Sequence, residues 1–231
     1  MKTLGIIGGI APGSTVDYYR LLIDSYRAQI TDGSYPSILI NSIDLKRLLD
    51  LVSGNRLTEL TEYLGREISR LARAGADFGL MASNTPHIVF EELSYQSPIP
   101  LLSIVECASE AALGLGLRTL GILGTRSTME GRFYPEVFAK RGMAVHAPRA
   151  DDQEYVHEKY MRELIPGDFR PETRGAFVAI IERLKQDGAE GVLLAGTELP
   201  LLLRDTADYG IPLLDTTRIH IRRAVAEVLS V

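Results

Sequence analysis

The chain has 231 residues, of which 45% are hydrophobic and 24% charged, and its formal net charge is −5. Length and composition fit one large globular domain or two small ones and exclude a disordered or fibrous chain. No long Lys/Arg cluster occurs, and the longest apolar run, residues 191–203, is broken by Glu198 and Pro200. Nucleic acid and membranes are therefore not expected partners. Cys107 is the one cysteine, which excludes an intrachain disulfide and a thiolate-cluster metal site and fits a cytoplasmic location. No signal-peptide layout precedes the first apolar run.

Thr3 to Gly8 is a short apolar run ending in Gly8-Gly9, which predicts a buried parallel strand and a tight turn. Ser14 or Thr15 is placed to cap the following helix, whose stripe is Tyr18, Leu21, Leu22 and Tyr26. Residues 37–42 predict a second strand. Leu60, Leu64, Ile68 and Leu71 predict a helix over 57–74, with Gly75 as its stop. Strands follow at 78–82 and 100–105, and then a helix carrying Cys107. The second half runs similarly: a strand at 119–124, a helix over 127–141 that Pro135 must kink or restart, and a strand at 143–147. A helix over 176–186, strands at 191–195 and 211–214, and a closing helix over 217–229 complete it. Alternating strands and helices predict an α/β fold of parallel sheets flanked by helices on both faces. In such folds ligands bind outside the carboxyl ends of the strands. Residues 8–15, 41–44, 83–87, 124–128 and 196–198 are polar clusters at those ends.

The sequence also repeats itself. Gly75-Ala76-Asp77-Phe78-Gly79-Leu80-Met81-Ala82-Ser83-Asn84-Thr85 reappears as Gly188-Ala189-Glu190-Gly191-Val192-Leu193-Leu194-Ala195-Gly196-Thr197-Glu198, at a constant offset that pairs residue 75 with 188 and 83 with 196. Leu4 to Gly8 has a counterpart in Leu120 to Gly124, and Ile99 to Leu102 has one in Ile211 to Leu214. A doubled half-chain predicts two pseudo-symmetric lobes, residues 1–98 with 212–231 and residues 99–211, joined by short crossings near Pro98 and Gly210. A ligand cleft is expected between them, with Ser83 and Gly196 facing each other across it.

Several clusters at strand ends carry candidate chemistry. Gly8-Gly9-Ile10-Ala11-Pro12-Gly13-Ser14-Thr15 is a Gly-rich turn feeding a helix, where backbone N–H groups suit a carboxylate or phosphate. It matches neither the dinucleotide fingerprint nor a P-loop, and an ordinary strand–turn–helix junction explains it as well. Ser83-Asn84-Thr85 can bind a small anion or simply cap a helix. Gly124-Thr125-Arg126-Ser127-Thr128 offers hydroxyls and a guanidinium to a carboxylate, or again a cap. His87, His146, His157 and His220 form no H-x-x-x-H or H-E-x-x-H pair, so no metal site is expected. His87 lies four residues past Ser83. A triad of Ser83, His87 and Asp215 is conceivable for a hydrolase, although Gly-x-Ser-x-Gly is absent.

The chain resembles the aspartate/glutamate racemase family, in its aspartate-racemase-like branch. The resemblance rests on Gly8 to Thr15 with Tyr18-Tyr19, on Asn84-Thr85-Pro86-His87, and on Gly124 to Met129 with Phe133-Tyr134. Thr197-Glu198 and Asp215-Thr216 with His220 extend it over nearly the whole chain. It implies two pseudo-symmetric α/β lobes, an active site between them, no cofactor and a homodimer. It further implies proton transfer at the α-carbon of a small amino acid or dicarboxylate, with a thiol on each face. Those cysteines would fall at Ser83 and Gly196, and neither is present. Racemisation would then use Ser83 with a neighbour such as His87. The ligand would be held by Ile10, Ser14, Thr15, Asn84, Thr85, Thr125, Ser127, Thr128, Thr197 and Glu198, with Lys46 or Arg47 pairing a side-chain carboxylate. The alternatives are an inactive homologue that binds a carboxylate or amino acid, and a hydrolase built on Ser83.

Overall fold

The computed structural model describes residues 1–203 and 209–230. Its elements divide into two compact units, residues 1–104 with the chain from His220 onward, and residues 105–219.

In the first unit β1 (Leu4–Gly8) leads into α1 (Pro12–Arg27), β2 (Ile38–Ser42), α2 (Leu45–Ser53), α3 (Leu57–Arg73) and β3 (Phe78–Met81). A 3-10 turn (Thr85–Val89), α4 (Phe90–Gln96), β4 (Leu101–Leu102) and the start of α5 (Ile104–Gly114) follow. The strands pair in parallel in the order β2-β1-β3-β4, with Leu4 opposite both Ile38 and Phe78. β1 and β3 are buried along their whole length, as parallel strands covered by helices on both faces must be. On one face Ile7 packs with Leu48, Leu60, Leu64, Ile68 and Leu93. On the other, Leu4 and Ile6 pack with Tyr18, Leu22, Tyr26, Ile221 and Val225. At about 1.5–3 kcal/mol for each fully buried large side chain, these two layers are the main stabilisation of the unit.

The second unit repeats the plan. β5 (Thr119–Gly124), α6 (Arg126–Met129), α7 (Phe133–Ala139), β6 (Ala144–His146) and α8 (Ala150–Lys159) come first. A single π turn (Tyr160–Leu164), α9 (Pro171–Gln186), β7 (Gly191–Ala195), α10 (Leu199–Leu203), β8 (Leu213–Asp215) and the start of α11 (Thr216–Leu229), which from His220 onward belongs to the first unit, complete it. Its strands are again parallel, in the order β6-β5-β7-β8. This is the same connectivity as in the first unit. Leu123, Val192 and Leu194 meet Val156, Leu164, Phe177, Ile180 and Ile181 in its core.

Several elements differ from expectation. Ser14 and Thr15 do not cap α1, which begins at Pro12 with Ala11 as the flanking residue and no side-chain cap. Proline there starts the helix early because its missing N–H has no intrahelical partner to lose. The predicted strand 100–105 contracts to Leu101–Leu102 and gives way to α5. The expected helix over 127–141 is two helices, and the break at residues 130–132 precedes Pro135, which sits harmlessly in the first turn of α7. α9 starts at Pro171, five positions before the expected start at Ala176. α8 escaped detection because only Val156 among its residues is buried, so no apolar stripe marks it.

Candidate active site

In the first unit the end of β1 is built around Gly9. Its φ is +84°, and a Cβ there would run into the backbone oxygen of Ile43 and lie 2.6 Å from the Ile43 nitrogen. The Ile43 N–H donates to the Gly8 carbonyl at 2.9 Å, which fixes that close approach. Thr15 turns back onto the same corner: its Oγ1 accepts the Gly9 N–H at 2.8 Å. Ser14 and Thr15 are buried, and the Ile10 side chain packs into the apolar cluster with Leu48 and Leu60. At the end of β3, Ser83 is half-buried, while Asn84, Thr85 and His87 are buried. The Asn84 carbonyl accepts the His87 N–H at 3.0 Å and begins the 3-10 turn.

The end of β2 is occupied structurally. Asn41 donates to Glu67 at 2.8 Å, and Asp44 accepts the Lys46 N–H as the cap of α2. Lys46 pairs with Asp50 at 2.6 Å, and the Arg47 guanidinium lies 4.3 Å from the centre of the Tyr63 ring. Both cations are exposed.

Two buried histidines sit behind this corner. His220 accepts from the Tyr18 hydroxyl at Nδ1 (3.0 Å) and donates from Nε2 to the Leu102 carbonyl (3.1 Å). His87 Nε2 accepts the Ile104 N–H at 3.2 Å, and its ring stacks on Phe90. Its Nδ1 is buried and makes no hydrogen bond among the described residues. Burial, aided by the neighbouring His220, lowers His87 to about 3. Burial lowers His220 to about 4. Both rings are neutral at pH 7, and the lone pair of His87 Nε2 is already engaged.

Protonation then favours the unfolded chain, whose histidines titrate near 6.5. Between pH 6.5 and 4.5 the unfolded state binds more protons, so stability falls as pH falls, by about 1.4 kcal/mol per pH unit for each histidine held neutral. His157, lowered by burial and by Arg126, acts in the same direction. Urea unfolding at pH 7.0 and pH 5.0 is expected to differ by a few kcal/mol. Equal midpoints would contradict the neutral assignment.

In the second unit Thr125 and Thr128 share a hydrogen bond of 3.1 Å. Thr128 is buried, Thr125 and Ser127 are partly buried, and the Arg126 N–H donates to His157. A Cβ on Gly124 would meet both the Ala195 carbonyl (2.8 Å) and Thr128 (3.1 Å), so this cluster packs against the end of β7. There Thr197 Oγ1 donates to Glu198 Oε2 at 2.8 Å, and the Tyr160 hydroxyl donates to the same oxygen. Glu198 and Tyr160 are buried. Asp215 accepts the Arg218 N–H at 2.9 Å and caps α11. In the first unit His87 accepts the Ile104 N–H and its ring contacts Phe90 and His220.

Within each unit the structure therefore gathers what the sequence spaced apart. Thr15 joins the Gly8-Gly9 turn, Ser83 to His87 form one strand-end turn, and Thr125 and Thr128 flank the end of β7 near Thr197 and Glu198. Tyr160 was not anticipated. It lies far from residue 196 in the sequence, and only the unexplained glycine at 196 hinted that another residue must fill the space beside it. Among the described residues, no group of three His, Cys, Asp or Glu side chains is placed to hold a metal ion, and no helix is long and apolar enough to cross a membrane.

Two parallel four-stranded sheets of identical connectivity, with polar clusters at the carboxyl ends of corresponding strands, define a two-lobed α/β racemase fold. Residues 7–224 match the model of the Asp/Glu/hydantoin racemase family, and the chain belongs to that family. Over 98% of both chains it is 24% identical to the broad specificity amino-acid racemase RacX of Bacillus subtilis. It superposes over its full length, with a TM-score of 0.91 and 31% identity, on a candidate Asp/Glu racemase from Yersinia pestis, covering all of that chain. An aspartate racemase homologue from Pyrococcus horikoshii, also covered completely by this chain, gives 0.84 and 31%. Membership supports an isomerase reading, that of an amino-acid racemase.

Proposed function

We propose that this protein is a cofactor-independent racemase that moves the α-proton of a small acidic amino acid. The observation that carries this reading is the matched pair of strand ends. Ser83-Asn84-Thr85 follows β3, and Gly196-Thr197-Glu198 follows β7, in two units of the same connectivity. Hydroxyls and an amide at such ends are suited to hold an α-carboxylate, and holding it charge-neutralised by hydrogen bonds lowers the cost of a carbanion next to it. In this reading Asn84, Thr85, Thr125, Ser127, Thr128 and Thr197 grip the carboxylate, together with backbone N–H groups from Ile10 to Thr15. Arg47 reaches the substrate's second carboxylate, leaving its place over Tyr63, and Ser83 carries a proton. The names of RacX and of the aspartate racemase homologue support an amino-acid substrate, and the latter supports an acidic one. In this reading the protein works in the cytoplasm as a homodimer.

Chiral chromatography of single enantiomers of aspartate and glutamate, incubated with dialysed protein and no added cofactor, tests the reading. Formation of the opposite enantiomer of at least one of them is expected. A second reading, carboxylate binding without turnover, has glycine at 196 in its favour. It predicts instead that such a ligand raises the melting temperature by mass action while no opposite enantiomer forms.

A further inference from the structure

Gly196 ends β7 without a side chain, and an aromatic ring takes the space beside it. A Cβ at residue 196 would lie 2.6 Å from Tyr160 Cε2, 2.7 Å from the Tyr160 hydroxyl oxygen and 2.9 Å from Cζ. Non-bonded carbons settle at about 3.5–4.0 Å, so the phenol stands where a side chain of residue 196 would otherwise stand. Its hydroxyl donates to Glu198 Oε2, and the same carboxylate oxygen accepts from Thr197 Oγ1 at 2.8 Å. The three residues of the strand-end turn thus surround one phenol oxygen brought in from another element. Tyr160 opens the π turn that follows α8, and π turns recur at functional sites, where they re-aim side chains.

We propose that the Tyr160 hydroxyl, seated on Gly196 and held by Glu198, is this protein's second proton-transfer group. The inference rests on the racemase reading above. Inverting an α-carbon through a planar carbanion requires a proton to leave one face and another to arrive at the opposite face, so two groups are needed. Burial first, and then the charge of Glu198, hold the Tyr160 hydroxyl well above its ordinary range, so a free phenolate does not serve as the base. A relay does. The substrate Cα–H bond breaks and its electron pair stays on the substrate, delocalised into the α-carboxylate. That proton forms a new O–H bond on Tyr160 while the original Tyr160 proton passes to Glu198 Oε2. One proton moves from carbon to Glu198, and the reverse sequence delivers it back. No oxidant or reductant enters.

Tyr160→Phe keeps the ring against Gly196 and removes only the hydroxyl. Deuterium incorporation at the α-carbon is measured in heavy water from each enantiomer of aspartate and of glutamate separately, with melting temperature followed in parallel. Tyr160→Phe is expected to lose exchange from one enantiomer by at least about 10²-fold while keeping exchange from the other, with KM within about threefold and an unchanged melting temperature. Glu198→Gln, which cannot accept the relayed proton, is expected to show the same one-sided loss. Exchange from both enantiomers within threefold of the wild-type rate in Tyr160→Phe would overturn the inference while leaving the racemase reading intact. So would an equal loss from both. A wild-type protein that exchanges neither enantiomer of aspartate or of glutamate would overturn the racemase reading and the inference with it.

Discussion

Ser83→Ala is expected to lower α-proton exchange from one enantiomer by about 10²-fold or more, with the melting temperature within about 2 °C of the parent. A positioned proton-transfer group contributes roughly 10²–10⁴-fold to a rate, and alanine removes that group without changing the backbone. The side chain is half-buried at the end of β3 and outside the apolar clusters, so its oxygen contributes little to packing. Ser83→Cys is the complementary experiment. A thiol titrates near 8.5, within reach of neutral pH, whereas a serine hydroxyl is a far weaker acid. A thiol at this position is expected to raise the exchange rate about tenfold or more. Rates that stay level in both variants would remove Ser83 from the proton-transfer chemistry.

Gly9→Ala is expected to destabilise the fold by about 2–4 kcal/mol, through a positive φ and a steric clash together. At φ +84° the added methyl meets backbone atoms of Ile43, which no side-chain rotation can clear, as well as Ser42 Oγ at 2.9 Å. Ile43 cannot withdraw without breaking its bond to the Gly8 carbonyl. For a chain of this length such a loss corresponds to a melting temperature lower by about 6–12 °C. Gly13→Ala is the control. Nothing lies within 4 Å of a Cβ there, and its backbone needs no positive φ, so it is expected to leave the melting temperature unchanged or slightly raised. If Gly9→Ala melts with the parent protein, the turn after β1 is not held as described.

Much of the fold was legible in the sequence because burial wrote it there. β1, β3, β5 and β7 are apolar runs buried almost throughout, and such runs bounded by glycine announce parallel strands. α3 shows its stripe at Leu60, Leu64, Ile68 and Leu71, all of them buried. α2 could have been found as well, since Asp44 precedes apolar positions 45, 48, 49 and 52, a capped amphipathic turn. α8 could not, because its polar residues show no periodicity. The strand-end positions of the site were legible for a related reason: the repeat aligned Ser83 with Gly196. What each side chain does there depends on partners that are distant in the sequence. Nothing local says that Thr15 serves Gly9, that Asn41 holds Glu67, that Arg47 lies on Tyr63, or that Tyr160 fills the place beside Gly196.

Proton nuclear magnetic resonance in heavy water tests the account most directly. Each enantiomer of aspartate and glutamate is incubated with protein dialysed against a chelator, and the α-proton signal is followed over time. The signal of at least one enantiomer is expected to fade as deuterium replaces the α-proton, with the opposite enantiomer, also deuterated, accumulating. Undiminished α-proton signals from all four, at protein concentrations where the same ligands raise the melting temperature, would contradict it.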